Sequence, residues 1–423
     1  MERGILFSAA RASRDHCMKK TFFITLACLV AFVFAVTIWT QRRSIEKNYY
    51  GWRVSRLRAE VLAQEKQQIR NVPAHQIYTE LEWVYGKTRD YPRVRERIRA
   101  LKAALADPRN NDQLDEESPE DGSWGKWHTE WMFKLIVSYD HMAGPARFIA
   151  PSKYPPRFLD RINSPEKLTA HLNRLLTSEY GGRDNRWELN ETIGHLLRLV
   201  LREPPAGYSY HPELKETLLD WIMNTARDPE TGYWGEHYVR KGRVTKTKDI
   251  SITFHIVSYL NGEVPDWPKI IDTTLAIKGV RYGWETSNHD HTDAVELFRL
   301  GWKHASPAQQ AAMRTEIQTM LDWCLRESLR PDGSFTVDQS SIEASQYFGV
   351  SFLARIGYFD PARRFWTDQE FPNADRDRER IIDFIRSHYV SAGVGGSMYR
   401  VSLTQLGAHD LRRELEAAAK ADF

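Results

Sequence analysis

A turn built from glycine with an aromatic residue close by recurs along this chain about every 50 residues, and no other feature narrows the fold as much. The turns open at Gly122, Gly181, Gly232, Gly283, Gly333 and, more weakly, Gly395. Each is followed by a polar and then an apolar stretch, as in GYWGEHYVRKGRVTKTKDISITFHIVSYL from Gly232. A period of this length holds two helices and two turns, and self-similarity at a fixed period marks units that bury their faces against their neighbours. The stretches after the turns, such as Ile250 to Leu260, are apolar nearly all round and predict buried helices. Between the turns, Glu213 to Ala226, Lys269 to Lys278, Pro307 to Ser328 and Arg376 to Tyr389 predict an outer set. Six helix pairs predict an all-α fold, an (α/α)6 toroid over residues 118–415, with an irregular open helical array as the alternative.

Two further segments precede that domain. Thr21 to Thr40 runs 20 residues without a charge, which at about 1.5 Å per helical residue spans a bilayer core. Lys19 and Lys20 precede it, Arg42 and Arg43 follow it, and Arg3, Arg11 and Arg14 lie further back. This pattern predicts a signal anchor with residues 1–20 cytoplasmic and the bulk of the chain periplasmic or extracellular. A cleaved signal peptide is the competing reading, but its apolar region is ordinarily shorter. Residues 44–106 predict two or three amphipathic juxtamembrane helices, around Trp52 to Gln68 and Arg93 to Leu105, closed by the polar break Asp107 to Asp121.

The formal charge is +3, from 59 basic and 56 acidic residues, a near-balance that gives no support to nucleic-acid binding. Cysteines stand at 17, 28 and 324, too few and too scattered for a disulfide framework or a thiolate zinc site. No cofactor motif is found and none is expected. His289, His291 and Asp293 are weighed as a metal site, but the two histidines, two residues apart, do not share a helix face and no further convincing ligand joins them.

The turn units DGSWG (Asp121 to Gly125), DPETGYWG (Asp228 to Gly235) and PDGSF (Pro331 to Phe335) resemble the repeats of the squalene cyclase and prenyltransferase toroids. The resemblance implies the toroid fold. The acidic proton-donor run of the cyclases is absent, which disfavours terpenoid cyclisation. Ser287 to Leu297 (SNHDHTDAVEL) resembles the Asn-His motif of toroid polysaccharide lyases of the alginate type, matched by Asn288, His289 and Asp293, with Thr292 in place of the family's aromatic.

In such a ring the N-termini of the inner helices converge on one end of the cavity. The polar residues predicted there are Glu130, Asn190, Glu191, Asp249, Ser251, His289, Asp293 and Glu343, with Trp124, Trp127, Trp187, Trp234, Trp284 and Phe335 in the same turns. Aromatic faces beside carboxylates suit sugars, which stack on one side and hydrogen-bond around the rim. For a lyase, Asn288 and His289 would neutralise a uronate carboxylate, Tyr238 or Tyr347 would move the proton, and Arg240 would clamp the anion. For a glycosidase, two of Glu191, Asp249, Asp293 and Glu343 would form the acid–base pair. His195 and His255, inside apolar helices, read as core histidines, and Lys246 and Lys248 as a solvated loop. The expectation is a membrane-anchored, extracytoplasmic polysaccharide-processing protein, either lyase or glycosidase. A non-catalytic carbohydrate-binding or assembly subunit of polysaccharide biosynthesis or export is the competitor from another class.

Overall fold

The computed structural model describes residues 44–64, 67, 69, 71–111, 113–144, 151–179, 182–337, 341–388 and 397–421. The expected anchor Thr21 to Thr40, Cys17, Cys28, and turn residues Gly181 and Gly395 lie outside these. No helix among the described residues is long and apolar enough to cross a membrane. The chain divides at Gln113/Leu114 into two compact units, within the polar break.

Among the described residues, the first unit holds three α-helices: α1 (residues 44–64), α2 (Val72–Trp83) and α3 (Tyr91–Ala106). Helix α1 buries Tyr50, Val54, Leu57 and Val61, a stripe with near-helical spacing. Helices α2 and α3 both carry proline in the first turn and a side-chain cap, Asn71 accepting from the Ala74 N–H at 2.9 Å and Asp90 from the Arg93 N–H at 3.2 Å. Buried Glu80 on α2 is paired with Arg97 on α3 at 3.6 Å, so its charge is compensated where water cannot reach it.

The second unit is mostly helical. Six helices form a row: α4 (Trp131–Met142), α6 (Arg186–Leu197), α8 (Ile250–Tyr259), α10 (Asn288–Gly301), α12 (Ile342–Arg355) and α14 (Ser397–Gln405). Each packs against the next in that order. Between them in sequence run α5 (Pro165–Leu176), α7 (Leu214–Asp220), α9 (Trp267–Ala276), α11 (Pro307–Trp323) and α13 (Ala374–His388), and α15 (His409–Ala421) follows. Helix α5 packs on α6 and α7, and α9 on α10 and α11. One large apolar core runs through the unit, from Trp131 and Leu135 to Leu403 and Leu411.

Three of the turns share one construction. In each of these, an aspartate accepts bonds from the turn that follows: Asp121 from the Ser123 hydroxyl at 2.7 Å, Asp228 from the Thr231 hydroxyl at 2.8 Å, Asp332 from the Ser334 hydroxyl at 2.7 Å. Gly122, Gly232 and Gly333 then take positive φ (+67°, +74° and +87°). The next aromatic buries its ring and donates its backbone N–H to the following helix: Trp124 to Ser138 (2.8 Å), Trp234 to Thr253 (3.1 Å), Phe335 to Gln346 (3.3 Å). The repeat is therefore structural at the level of individual hydrogen bonds.

The expectation of an all-α fold is corrected by a three-stranded sheet: β1 (Thr177–Glu179), β2 (His237–Arg240) and β3 (Arg243–Lys246). Strand β2 pairs parallel with β1 and antiparallel with β3, with Tyr238 opposite Ser178 and Thr245. Lys241 and Gly242, at φ 49° and 74°, make the two-residue turn that right-twisted strands require. Lys246 thus lies in a strand rather than a loop. Its run, HYVRKGRVTK, carries β-branched residues on both sides of a Lys-Gly turn.

Candidate active site

Three helices of the row carry polar residues at helical spacing that face one another. On α6 these are Glu191, His195 and Arg198, the last opening a π-turn, Arg198–Arg202, that extends the helix. Helix α8 supplies Ser251, His255 and Tyr259, and α10 supplies His289, Asp293 and Glu296. These side chains meet. Asp293 accepts from the Ser251 hydroxyl at 3.0 Å and faces His289 Nε2 at 3.7 Å. His289 also packs at 4.3 Å against the Phe348 ring of α12 and acts electrostatically on Glu191. Since α8 stands between α6 and α10 in the row, Glu191 and His289 act on each other from helices on either side of it.

Accessibility separates the roles. Asp293 is 2% exposed at its side chain, while His289 retains 32% and Glu191 26%. His289 therefore presents its ring with a buried carboxylate behind it, and Glu191 faces the same space. Burial raises the Glu191 carboxyl to about 7, against a hydrogen bond from Trp187 and the nearby His289. Burial also raises Asp293 to about 6, opposed by His289, Arg355 and Ser251. His195, whose Nδ1 lies 2.7 Å from the Glu191 carbonyl oxygen, is lowered to about 4 by burial. His255, 3.3 Å from the Tyr259 hydroxyl, is lowered to about 3 by burial and by surrounding cations. Both are neutral near pH 7, and both lie beside the site.

A cationic group adjoins the cluster. The Arg198 guanidinium stands 4.3 Å from the Tyr139 ring and 5.3 Å from the Tyr259 ring. Burial works against its charge, but Tyr259, Tyr139 and Glu203 outweigh that and keep its pKa above the ordinary value. Asp140 on α4 is raised to about 6 by burial, with Arg198 and Arg400 of α14 opposing. Tyr347 also lies within electrostatic reach of Arg198.

The remaining expected site residues are placed elsewhere. Asn288 is buried and donates to the Ser328 hydroxyl at 2.7 Å, so it turns away from His289. Asp249 caps α8 through the Ile252 N–H at 3.1 Å and is clamped by Arg186, with one contact at 2.9 Å. Tyr238 belongs to a second cluster at the sheet, its hydroxyl 2.8 Å from that of Tyr282, beside Glu236 and Ser178, which bond to each other. Glu343 accepts from the Met398 N–H at 2.8 Å, at the start of α14. Arg240 lies exposed at the hairpin. Trp234 and Trp284 are buried, with indole N–H groups bonded to the Ile222 and Thr274 carbonyls at 2.8 and 2.7 Å, and Trp124 is stacked on His141. Trp127 and Trp187 keep accessible surface.

No family model, curated protein or solved structure matches the chain. Among the described residues, no group of three or more His, Cys, Asp or Glu side chains is placed to hold a metal ion.

Proposed function

We propose that the second unit is an (α/α)6 toroid whose concave side binds and cleaves a polysaccharide by acid–base hydrolysis. The consecutive packing of α4 through α14 supports the ring, as does the approach of its two ends, where Asp140 on α4 lies within electrostatic reach of Arg400 on α14. The observation that carries the activity is the convergence of Glu191, His289 and Asp293 on that side. Glu191, protonated below about 7, donates to the leaving glycosidic oxygen. His289, oriented by Asp293, takes the proton of the attacking water, and Trp187 offers a face to a sugar ring. Asn288 points away from His289, which removes the pair an elimination would use to neutralise a uronate and favours hydrolysis over lyase chemistry. The apolar run Thr21 to Thr40 supports an anchored, extracytoplasmic setting, where cell-envelope and exopolysaccharides are encountered.

The test incubates the full chain in detergent with a panel of neutral and acidic polysaccharides, reading new reducing ends and unsaturated-uronate absorbance together. Reducing ends without absorbance are expected, falling about 10²–10⁴-fold in Glu191→Gln and His289→Ala. Rising absorbance would replace hydrolysis by elimination. Binding without either signal would leave a carbohydrate-binding subunit.

A further inference from the structure

Helix α1 has two apolar faces, and among the described residues only one of them is packed within its unit. Opposite the buried stripe of Tyr50, Val54, Leu57 and Val61, the residues Ile45, Tyr49 and Trp52 stand at helical spacing with exposures of 54%, 51% and 62%. Cations surround them. The Arg53 guanidinium lies 5.6 Å from the Tyr49 ring and bonds its hydroxyl at 3.2 Å, and Arg56 continues the stripe. Beside Trp52, a cavity of about 400 Å³ opens between α1 and α3; Arg53, Arg56 and Lys102 line it with one carboxylate, Glu60, 3.5 Å from Arg56, so the cations outnumber the acid three to one.

Charge is distributed to match. Residues 44–106 carry 13 Lys and Arg against seven Asp and Glu, whereas residues 107–423 carry 39 against 47. An exposed aromatic stripe edged by guanidinium groups suits the phosphate and glycerol level of a bilayer, where indole and phenol rings sit and basic side chains meet anionic headgroups. The stripe also begins five residues after the apolar run Thr21 to Thr40, so the chain itself brings it to that level if the run enters a bilayer.

We propose that the Ile45–Tyr49–Trp52 face of α1 docks on an anionic phospholipid surface, with the Arg53–Arg56–Lys102 cavity receiving a lipid phosphate. The docking holds the first unit against the bilayer by a contact separate from any spanning segment, and it does not depend on what the second unit does.

The test uses the full chain with Cys17 and Cys28 replaced by serine, Cys324 being buried. An environment-sensitive fluorophore is attached at Tyr49→Cys, or at Val244→Cys on β3 as a control, and the chain is placed in nanodiscs of phosphatidylcholine with or without phosphatidylglycerol. The expected result is a blue shift at position 49 that appears with phosphatidylglycerol, is absent at position 244, and is lost in an added Arg53→Glu/Arg56→Glu pair or at high salt. Each removed cation should weaken the phosphatidylglycerol response about fivefold. A position-49 label that stays water-like in both lipids overturns the proposal. A shift equal in the two lipids overturns its anionic part. A shift at both positions reduces it to general adsorption, and a blue emission already present in detergent that fades on dilution assigns the face to a second copy of this chain. Soluble inorganic phosphate that competes away the shift places the phosphate in the cavity, whereas no competition at any concentration removes the cavity from the proposal.

Discussion

Glu191 and Asp293 show how one environment can set two carboxyl groups to different tasks. Glu191 keeps a quarter of its side chain accessible and is held near 7, so it carries a transferable proton at neutral pH. In the hydrolysis reading the active form is the protonated one, and kcat/KM should therefore fall as pH rises through about 7. A rate profile that stays flat from pH 6 to 9 would remove Glu191 as the acid. Asp293 is buried behind His289 and raised from an ordinary 3.8 to about 6. A raised carboxyl pKa in the folded state means that the native protein binds the proton more tightly than the unfolded chain. Its contribution to stability is present below about 3.8 and is lost as pH rises to about 6. The Asp293→Asn variant, which carries no such charge, should gain stability relative to wild type across that window, measured as a Tm difference that widens from pH 4 to pH 7. The same variant should lose hydrolysis, because the His289 ring loses the partner that orients it.

At the scale of elements, the repeated turn is the unit of construction, and glycine is what its geometry demands. A Cβ on Gly333 would stand 2.1 Å from the Arg380 carbonyl oxygen, in addition to the strain of φ +87°. Gly207 also has positive φ, at +72°, but a Cβ there meets nothing within 4 Å. Gly207→Ala should therefore cost about 1 kcal/mol, the left-handed penalty alone, and Gly333→Ala about 3 kcal/mol or more, compared by thermal unfolding. Equal losses would mean that the turn relaxes away from α13. These turns were legible in the sequence because glycine, aspartate and the aromatic recur in register, and the helices followed from their apolar runs. Two things were hidden. The hairpin at Arg240 and Arg243 lay inside a long polar stretch whose end, at Lys246 and Lys248, read as a solvated loop, although its Lys-Gly turn and β-branched residues marked it. The direction in which each polar side chain points was the other. Asn288 and His289 are adjacent in sequence, yet one helical step of about 100° sends them to opposite partners, Ser328 and Asp293. Burial of Trp234 and Trp284 was masked in the same way, since an aromatic in a turn reads alike whether its ring faces a ligand or plugs the core. His195 and His255 read as core histidines, yet each stands four residues from a polar partner, Glu191 and Tyr259, as His289 does from Asp293; that i, i+4 spacing is the signal that could have found the polar cluster.

On the scale of the whole molecule, the chain joins a basic first unit to an acidic second one, and the two carry different proposals, lipid docking and glycan cleavage. The approach of Asp140 to Arg400 also bears on something other than charge, the chain's connectivity. If the first and last helices of the row are neighbours, the place where the polypeptide begins is a historical accident of the gene rather than a requirement of the architecture. A circular permutant of residues 114–421 follows, with its old ends joined by a flexible linker and new ends opened at Lys241–Gly242, an exposed hairpin tip. It should fold to the same helical circular-dichroism spectrum and melt cooperatively. An open array would lose that freedom, since the linker would have to cross from one end of the row to the other.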